Sequence, residues 1–175
     1  NVEKMNFSEG CSWIDSRQKD LLSNLMQLSE INSGTGNLSG INKVSQFFNT
    51  YFSDTADTFS TINSNPREHV DISGELVREE FGNILTFQKR VEAPLQVLLV
   101  GHMDTVFPES HSFQSPSRID EQTLLGPGVA DMKGGILVMM TALQAFESSN
   151  HSSRLGWQVM LNADEETGSH GSMEC

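Results

Sequence analysis

Apolar residues along the chain recur with two periods. Ile14, Leu21, Leu22, Leu25, Met26 and Leu28 fall at helical spacing, with Asp15 or Ser16 placed to cap the helix. The run Asn32-Ser33-Gly34-Thr35-Gly36 breaks it, and a second helix is predicted where Ile41, Val44, Phe47, Phe48 and Tyr51 share a face. Short strands are predicted over 57–63 and 68–73, and another from Asn83 to Lys89. Residues 95–100 (LQVLLV) are almost wholly apolar, the pattern of a strand buried on both faces. A long irregular stretch follows, Gly101 to Gly128, punctuated by Pro108, Pro116 and Pro127. Ile136, Met139, Met140, Leu143 and Phe146 then return to helical spacing, a helix packed on one side with its methionines in the core. Trp157 to Leu161 reads as a second buried strand, and the serines at 148–153 as a loop. Residues 1–13 form a polar lead-in. Strand, helix and strand in this order predict a layered α/β domain with parallel neighbours over 14–175.

Composition narrows the class. A chain of 175 residues, 37% hydrophobic, is long enough for one core and too apolar for disorder throughout. The net charge of −12 repels phosphate backbones, which excludes nucleic acid as a partner. No apolar run approaches the ~20 residues of a membrane helix, so no membrane partner is expected. Cys11 and Cys175 sit far apart and form no motif, so neither a disulfide framework nor a thiolate metal site is indicated. No basic segment followed by an apolar stretch opens the chain, which makes the cytoplasm the expected compartment. Periplasm or export is the alternative, because the chain starts at Asn1 rather than Met.

Three polar clusters lie at element ends. Gly101-His102-Met103-Asp104 follows the first buried strand. Gly126 to Gly135 (GPGVADMKGG) leads into the last helix, and Asp164-Glu165-Glu166-Thr167-Gly168-Ser169 follows the second buried strand. In open α/β sheets, ligands bind beyond the carboxyl ends of strands, so the three can converge on one rim. Imidazole and carboxylate are good zinc ligands, and a carboxylate can bridge two ions. Asp104, two residues from His102 in extended chain, can fix its tautomer. Of two adjacent glutamates, one can bind metal while the other takes a proton from metal-activated water. Singly these clusters are ordinary: a loop histidine, a helix cap, a solvated acidic triplet. Together and in order they point to a metal site. His69, His111, His151 and His170 read as loop or surface residues, and Lys133 as an exposed charge at a helix start.

GHMDTVFP, GPGVADMKGG and LNADEETGS resemble the three metal-site motifs of the aminoacylase/carboxypeptidase family of co-catalytic zinc hydrolases. That family includes acetylornithine deacetylase, succinyl-diaminopimelate desuccinylase and bacterial glutamate carboxypeptidases. The separations fit: His102 to Asp131 is 29 residues and Asp131 to Glu166 is 35. INSGTGNLSGINKVSQFF is similar to the N-terminal helical region of the carboxypeptidase branch, and Gly126-Pro127-Gly128 leans the same way. The resemblance implies a three-layer α/β domain, a mostly parallel mixed sheet between helices, continued by a lid and dimerisation domain. It implies that His102 and Glu166 each bind one of two zinc ions and that Asp131 bridges them. Asp104 would orient His102, and Glu165 would be the general base; cobalt or manganese could replace zinc. The Asp131–Met132 peptide would be cis. The family's two further ligands, an Asp and a His, match nothing in these 175 residues. The chain is therefore expected to be an N-terminal piece, inactive and weakly zinc-binding alone, with an apolar edge uncovered. The complete protein is expected to be a homodimeric hydrolase cleaving the amide bond of a small peptide or N-acyl amino acid, carboxypeptidase-like. An N-acyl amino acid deacetylase is the alternative within the class, and a non-catalytic metal-binding or regulatory relative the alternative outside it.

Overall fold

A computed structural model describes residues 4–175. Helix α1 spans Phe7–Ser16 and so begins inside the segment 1–13 expected to be a polar lead-in. Its start is a capping box: Glu9 N donates to Asn6 Oδ1 (3.0 Å) and Asn6 N to Glu9 Oε2 (2.7 Å). Ile14 therefore belongs to α1, and Asp15 and Ser16 close that helix instead of capping the next. Helix α2 follows at Gln18–Glu30, after the hinge residue Arg17. Helix α3, Leu38–Phe52, is capped by Asn37, whose Oδ1 accepts from Gly40 N at 3.0 Å. It buries Ile41, Val44, Phe48 and Phe52 on the face its periodicity predicts.

The strands are β1 (Thr58–Ile62), β2 (Arg67–Val70), β3 (Leu76–Glu79), β4 (Ile84–Lys89), β5 (Leu95–His102), β6 (Ser117–Arg118), β7 (Leu124–Leu125) and β8 (Leu155–Asn162). Helix α4, Lys133–Glu147, separates β7 from β8. β2 with β3, and β6 with β7, form two small antiparallel ribbons; the second interrupts the stretch expected to be irregular. The main sheet has the order β1-β4-β8-β5. β5 and β8 are parallel, whereas β4–β8 and β1–β4 are antiparallel. The sheet is mixed, as expected, but one pairing of three is parallel. Only β5–α4–β8 is joined through a helical crossover, the connection that parallel neighbours require.

Register places Leu85, Phe87, Trp157, Val159 and Leu161 on one face, and these pack with α2, α3 and α4 residues in a single core. Phe52 stacks on Phe87 with ring centroids 4.4 Å apart. The buried Trp157 ring donates its Nε1–H to Glu147 (2.8 Å), which also pairs with Arg90, so the core carries no orphaned indole. Helices α2, α3 and α4 meet the sheet in this core. On the other face Leu98 and Val100 of β5 are 60% and 55% exposed. The expectation that LQVLLV is buried on both faces is thus wrong: β5 is the end strand of the sheet, with one neighbour and one bare face. The accompanying expectation of an uncovered apolar edge holds. No helix among the described residues is long and apolar enough to cross a membrane.

Candidate metal centre

Parallel pairing of β5 with β8 puts His102 beside Asn162 at the same end of the sheet. The loops leaving these strands therefore start side by side. Met103 N extends the ladder by donating to Asn162 O at 2.8 Å. His102 is 5% exposed. Its Nδ1 lies 3.1 Å from the Asp104 carbonyl oxygen and 3.3 Å from Asp104 Oδ1. This leaves Nε2 to face outward, 2.9 Å from Asp131 Oδ1 and 3.9 Å from Glu165 Oε2.

Asp104 is wholly buried and bonded on both oxygens. Oδ2 accepts from Thr35 Oγ1 (2.8 Å) and Glu166 N (3.2 Å), and Oδ1 accepts from Glu165 N (3.3 Å). One carboxylate thereby ties together the histidine, the connector between α2 and α3, and the turn carrying both glutamates. That turn, Glu165–Thr167, is a single 3-10 turn closed by Gly168 in the left-handed region (φ 96°). Buried Asp164 anchors it, accepting from Gly171 N (2.6 Å), Ser172 N (3.1 Å) and Ser172 Oγ (2.6 Å).

Asp131 sits on the loop 126–132 with its side chain 73% exposed, and the Asp131–Met132 peptide is cis, as the resemblance implied. Gly128 has φ 71°, and a Cβ there would stand 2.8 Å from Lys133 Cδ. Glycine at this position lets the loop fold over the lysine. Lys133 itself is completely buried, against the expectation of an exposed charge. Its Nζ donates to the carbonyls of Leu28 (3.0 Å) and Ile31 (2.8 Å), which replace its water.

Electrostatics follow from this crowding. Burial opposes the His102 charge, but hydrogen bonds to Asp104 and Asp131 outweigh it and raise the imidazolium pKa to about 9. Burial also works against the Asp104 carboxylate, yet the bonds from His102 and Thr35 hold it below the usual range. Glu166 is pushed up, first by burial and then by repulsion from Asp131. Burial alone brings Lys133 down to about 8. Two carboxylates forced together beside an imidazole form a site that a cation relieves.

His102, Asp131 and Glu166, expected as ligands, each offer an atom within 4.8 Å of the others. An imidazole with two carboxylates suits zinc, and also cobalt or manganese, so the residues present fit such a metal. Asp131 keeps its second oxygen free of hydrogen bonds to the described protein, as a bridging role would need. Glu165 stands at the rim, half-exposed, and Asp104 lies behind the histidine. His111, His151 and His170 are exposed and outside the cluster, as expected; His69, read as loop or surface, instead lies half-buried on β2. The anchoring roles of Thr35 and Asp164 and the burial of Lys133 escaped the sequence reading. A lysine between an acidic motif and an apolar helix face was the available signal for the last. Beside Glu166 opens a cleft of about 430 Å3, bounded by Gly34, Thr35, Thr105, Pro108 and Glu109.

Residues 98–175 match Peptidase family M20/M25/M40. Carboxypeptidase G2 of Pseudomonas sp. (strain RS-16) is 27% identical over 90% of this chain and 35% of its own length. Succinyl-diaminopimelate desuccinylase of Hahella chejuensis is 35% identical over 54% of this chain and 26% of its own. Among solved structures, human carnosine dipeptidase 1 superposes with a TM-score of 0.78 at 15% identity, covering 98% of this chain and 37% of that one. A dipeptidase of Saccharomyces cerevisiae gives 0.70 at 18%, covering 93% and 35%. The structural likenesses show the α/β fold, and the match and the relatives bear out the resemblance read from the three motifs. The chain spans about a third of the length of carboxypeptidase G2 and about a quarter of the desuccinylase.

Proposed function

From the match of residues 98–175 to this peptidase family, we propose that the protein is a metal-dependent hydrolase of amide bonds in small peptides or N-acyl amino acids. The observation that carries the reading is the convergence of His102, Asp131 and Glu166 within 4.8 Å, with Glu165 beside them. His102 and Glu166 would each hold one divalent ion and Asp131 would bridge the pair. When bound, the ions supply Lewis acidity that polarises the amide carbonyl and makes water acidic enough to give up a proton near neutral pH. Asp104 holds His102 by Nδ1, so that Nε2 is the free ligand atom. Glu165, outside the ligand group and open to solvent, takes the proton from the attacking water and returns it to the leaving amine. Both backbone N–H groups bind Asp104, and from that shared anchor Glu165 lies exposed at the rim while Glu166 is half-buried.

A desuccinylase-type reaction is the second reading, favoured by the 35% identity to the Hahella enzyme. Dipeptides and N-succinyl amino acids, offered side by side to the full-length protein, distinguish the two. The division of labour is tested there as well. Glu165→Gln should keep its metal and lose most turnover, because only the proton acceptor is removed. Glu166→Gln should lose metal too, since a neutral amide is a poorer ligand. Near-normal turnover by Glu165→Gln would refute the assigned base.

A further inference from the structure

Lys133 is the first residue of α4 and lies two positions from Asp131, yet it is completely buried and forms no ion pair with a described acidic side chain. Its ammonium instead meets the carbonyls of Leu28 and Ile31, at the C-terminal end of α2. Leu28 O, which also accepts from Ile31 N at 3.2 Å, and Ile31 O lie at the negative end of the helix dipole, so a cation is well placed. The same end of α2 grips the loop a second time. Ser29 Oγ, also fully buried, donates to Pro127 O at 2.6 Å. Just beyond, the connector to α3 grips the histidine loop: Ser33 Oγ donates to Met103 O (2.8 Å), Thr105 N to Ser33 O (2.9 Å), and Thr35 Oγ1 to Asp104 (2.8 Å). Residues 28–35 therefore bond to the Asp131 loop on one side and to the His102 loop on the other. β5 and α4 are joined by a long loop, so these bonds set the spacing between the two loops from outside either of them.

We infer that Lys133 is a positioning residue that, through the C-terminal end of α2, fixes Asp131 at the distance from His102 that metal binding needs. The inference rests on the metal reading proposed above. A lysine used only to fill space or cap α2 would affect stability without setting the affinity of the site.

The test is made on the full-length protein, with zinc affinity measured by chelator competition. Lys133→Met keeps the bulk of the stem and removes both bonds; zinc should bind about 10–100-fold more weakly, the usual effect of losing a supporting partner behind a ligand. Leu143→Ala serves as the control, because Leu143 is buried on α4 far along from the loop and its loss destabilises by leaving a cavity. It should change zinc affinity by less than about twofold at a comparable loss in Tm. Ser29→Ala removes the second grip and should weaken zinc several-fold; it decides the matter if Lys133→Met does not fold. In metal-free protein, backbone hydrogen exchange over residues 128–134 should quicken in Lys133→Met and Ser29→Ala but not in Leu143→Ala. Unchanged zinc affinity in the folded loop variants, or an equal loss in Leu143→Ala, overturns the inference. A parent that binds no zinc instead defeats the metal reading, and the exchange comparison still decides whether Lys133 positions the loop.

Discussion

Asp104→Asn is the most informative single change, because it keeps the shape of the side chain and alters only what its two terminal atoms can do. In the parent, Oδ1 faces Glu165 N and His102 Nδ1, and Oδ2 faces Thr35 Oγ1 and Glu166 N. An amide has one acceptor and one N–H2 group. Its better orientation turns the N–H2 toward Thr35, whose hydroxyl can rotate to accept, and this leaves Glu166 N–H facing another donor. A buried donor left unmet costs about 1–3 kcal/mol, and the remaining bonds lose the help of the charge, so a loss of about 2–4 kcal/mol is expected. Urea unfolding of the metal-free protein measures it. Asp104 has a depressed pKa, so its contribution is present above the unfolded-state value near 3.8 and is lost as pH falls through the lower folded value. The difference between parent and variant should therefore hold from pH 7 to about 5 and shrink below about 4. Zinc affinity should fall about 10–100-fold as the partner behind His102 Nδ1 becomes a neutral amide oxygen. A variant within about 0.5 kcal/mol of the parent at pH 7 would refute the reading of Asp104 as the hub of the site.

In metal-free protein, His102 should titrate near 9, above its usual 6.5. A raised pKa stabilises the fold fully below about 6.5 and loses that contribution as pH rises through about 9. Metal must displace this proton, so affinity should climb with pH up to about 9 and uptake at pH 7 should release a proton; NMR of the ring and calorimetry in buffers of different ionisation heat check both, and a titration below 6.5 would count against it. At the bare face of β5, Leu98→Lys with Val100→Lys should reduce self-association of the 175-residue chain while changing stability by no more than about 0.5 kcal/mol per site, since both are exposed. Sedimentation at matched concentration measures this, and a parent already monomeric there would sink the idea.

The helices α3 and α4, and the strands β4 and β8, were legible because their apolar residues follow one period over several turns or pairs. The convergence of His102, Asp131 and Glu166 was legible for a different reason: each motif abuts an element end, and parallel pairing of β5 and β8 brings two of those ends together. α1 was missed because its outward face carries Phe7 and its start is signalled by the polar pair Asn6 and Glu9, which hydrophobic periodicity does not see. Burial of β5 was misjudged because an apolar run records what a strand can pack against, not which neighbours it has in this chain. Lys133 and Asp164 were missed for a related cause. Their burial depends on partners far away in sequence, Leu28 and Ile31 for the first and a folded-back turn for the second.

Parallel alignment of β5 with β8 has a consequence for how the molecule recognises its own correct assembly. His102 stands opposite Asn162 in a ladder of eight matched positions. Sliding β5 by one residue, about 3.3 Å, would turn its side chains to the other face and set Gly101 or Met103 in the place of the imidazole. Neither can stand in for it beside Asp131 and Glu166. A cation held there would favour the one alignment of the sheet that brings His102, Asp131 and Glu166 together and draw population away from shifted ones. Cation binding and strand register would thus be coupled, and the onset of tight cation binding during refolding would mark the moment at which the two strands have paired in step.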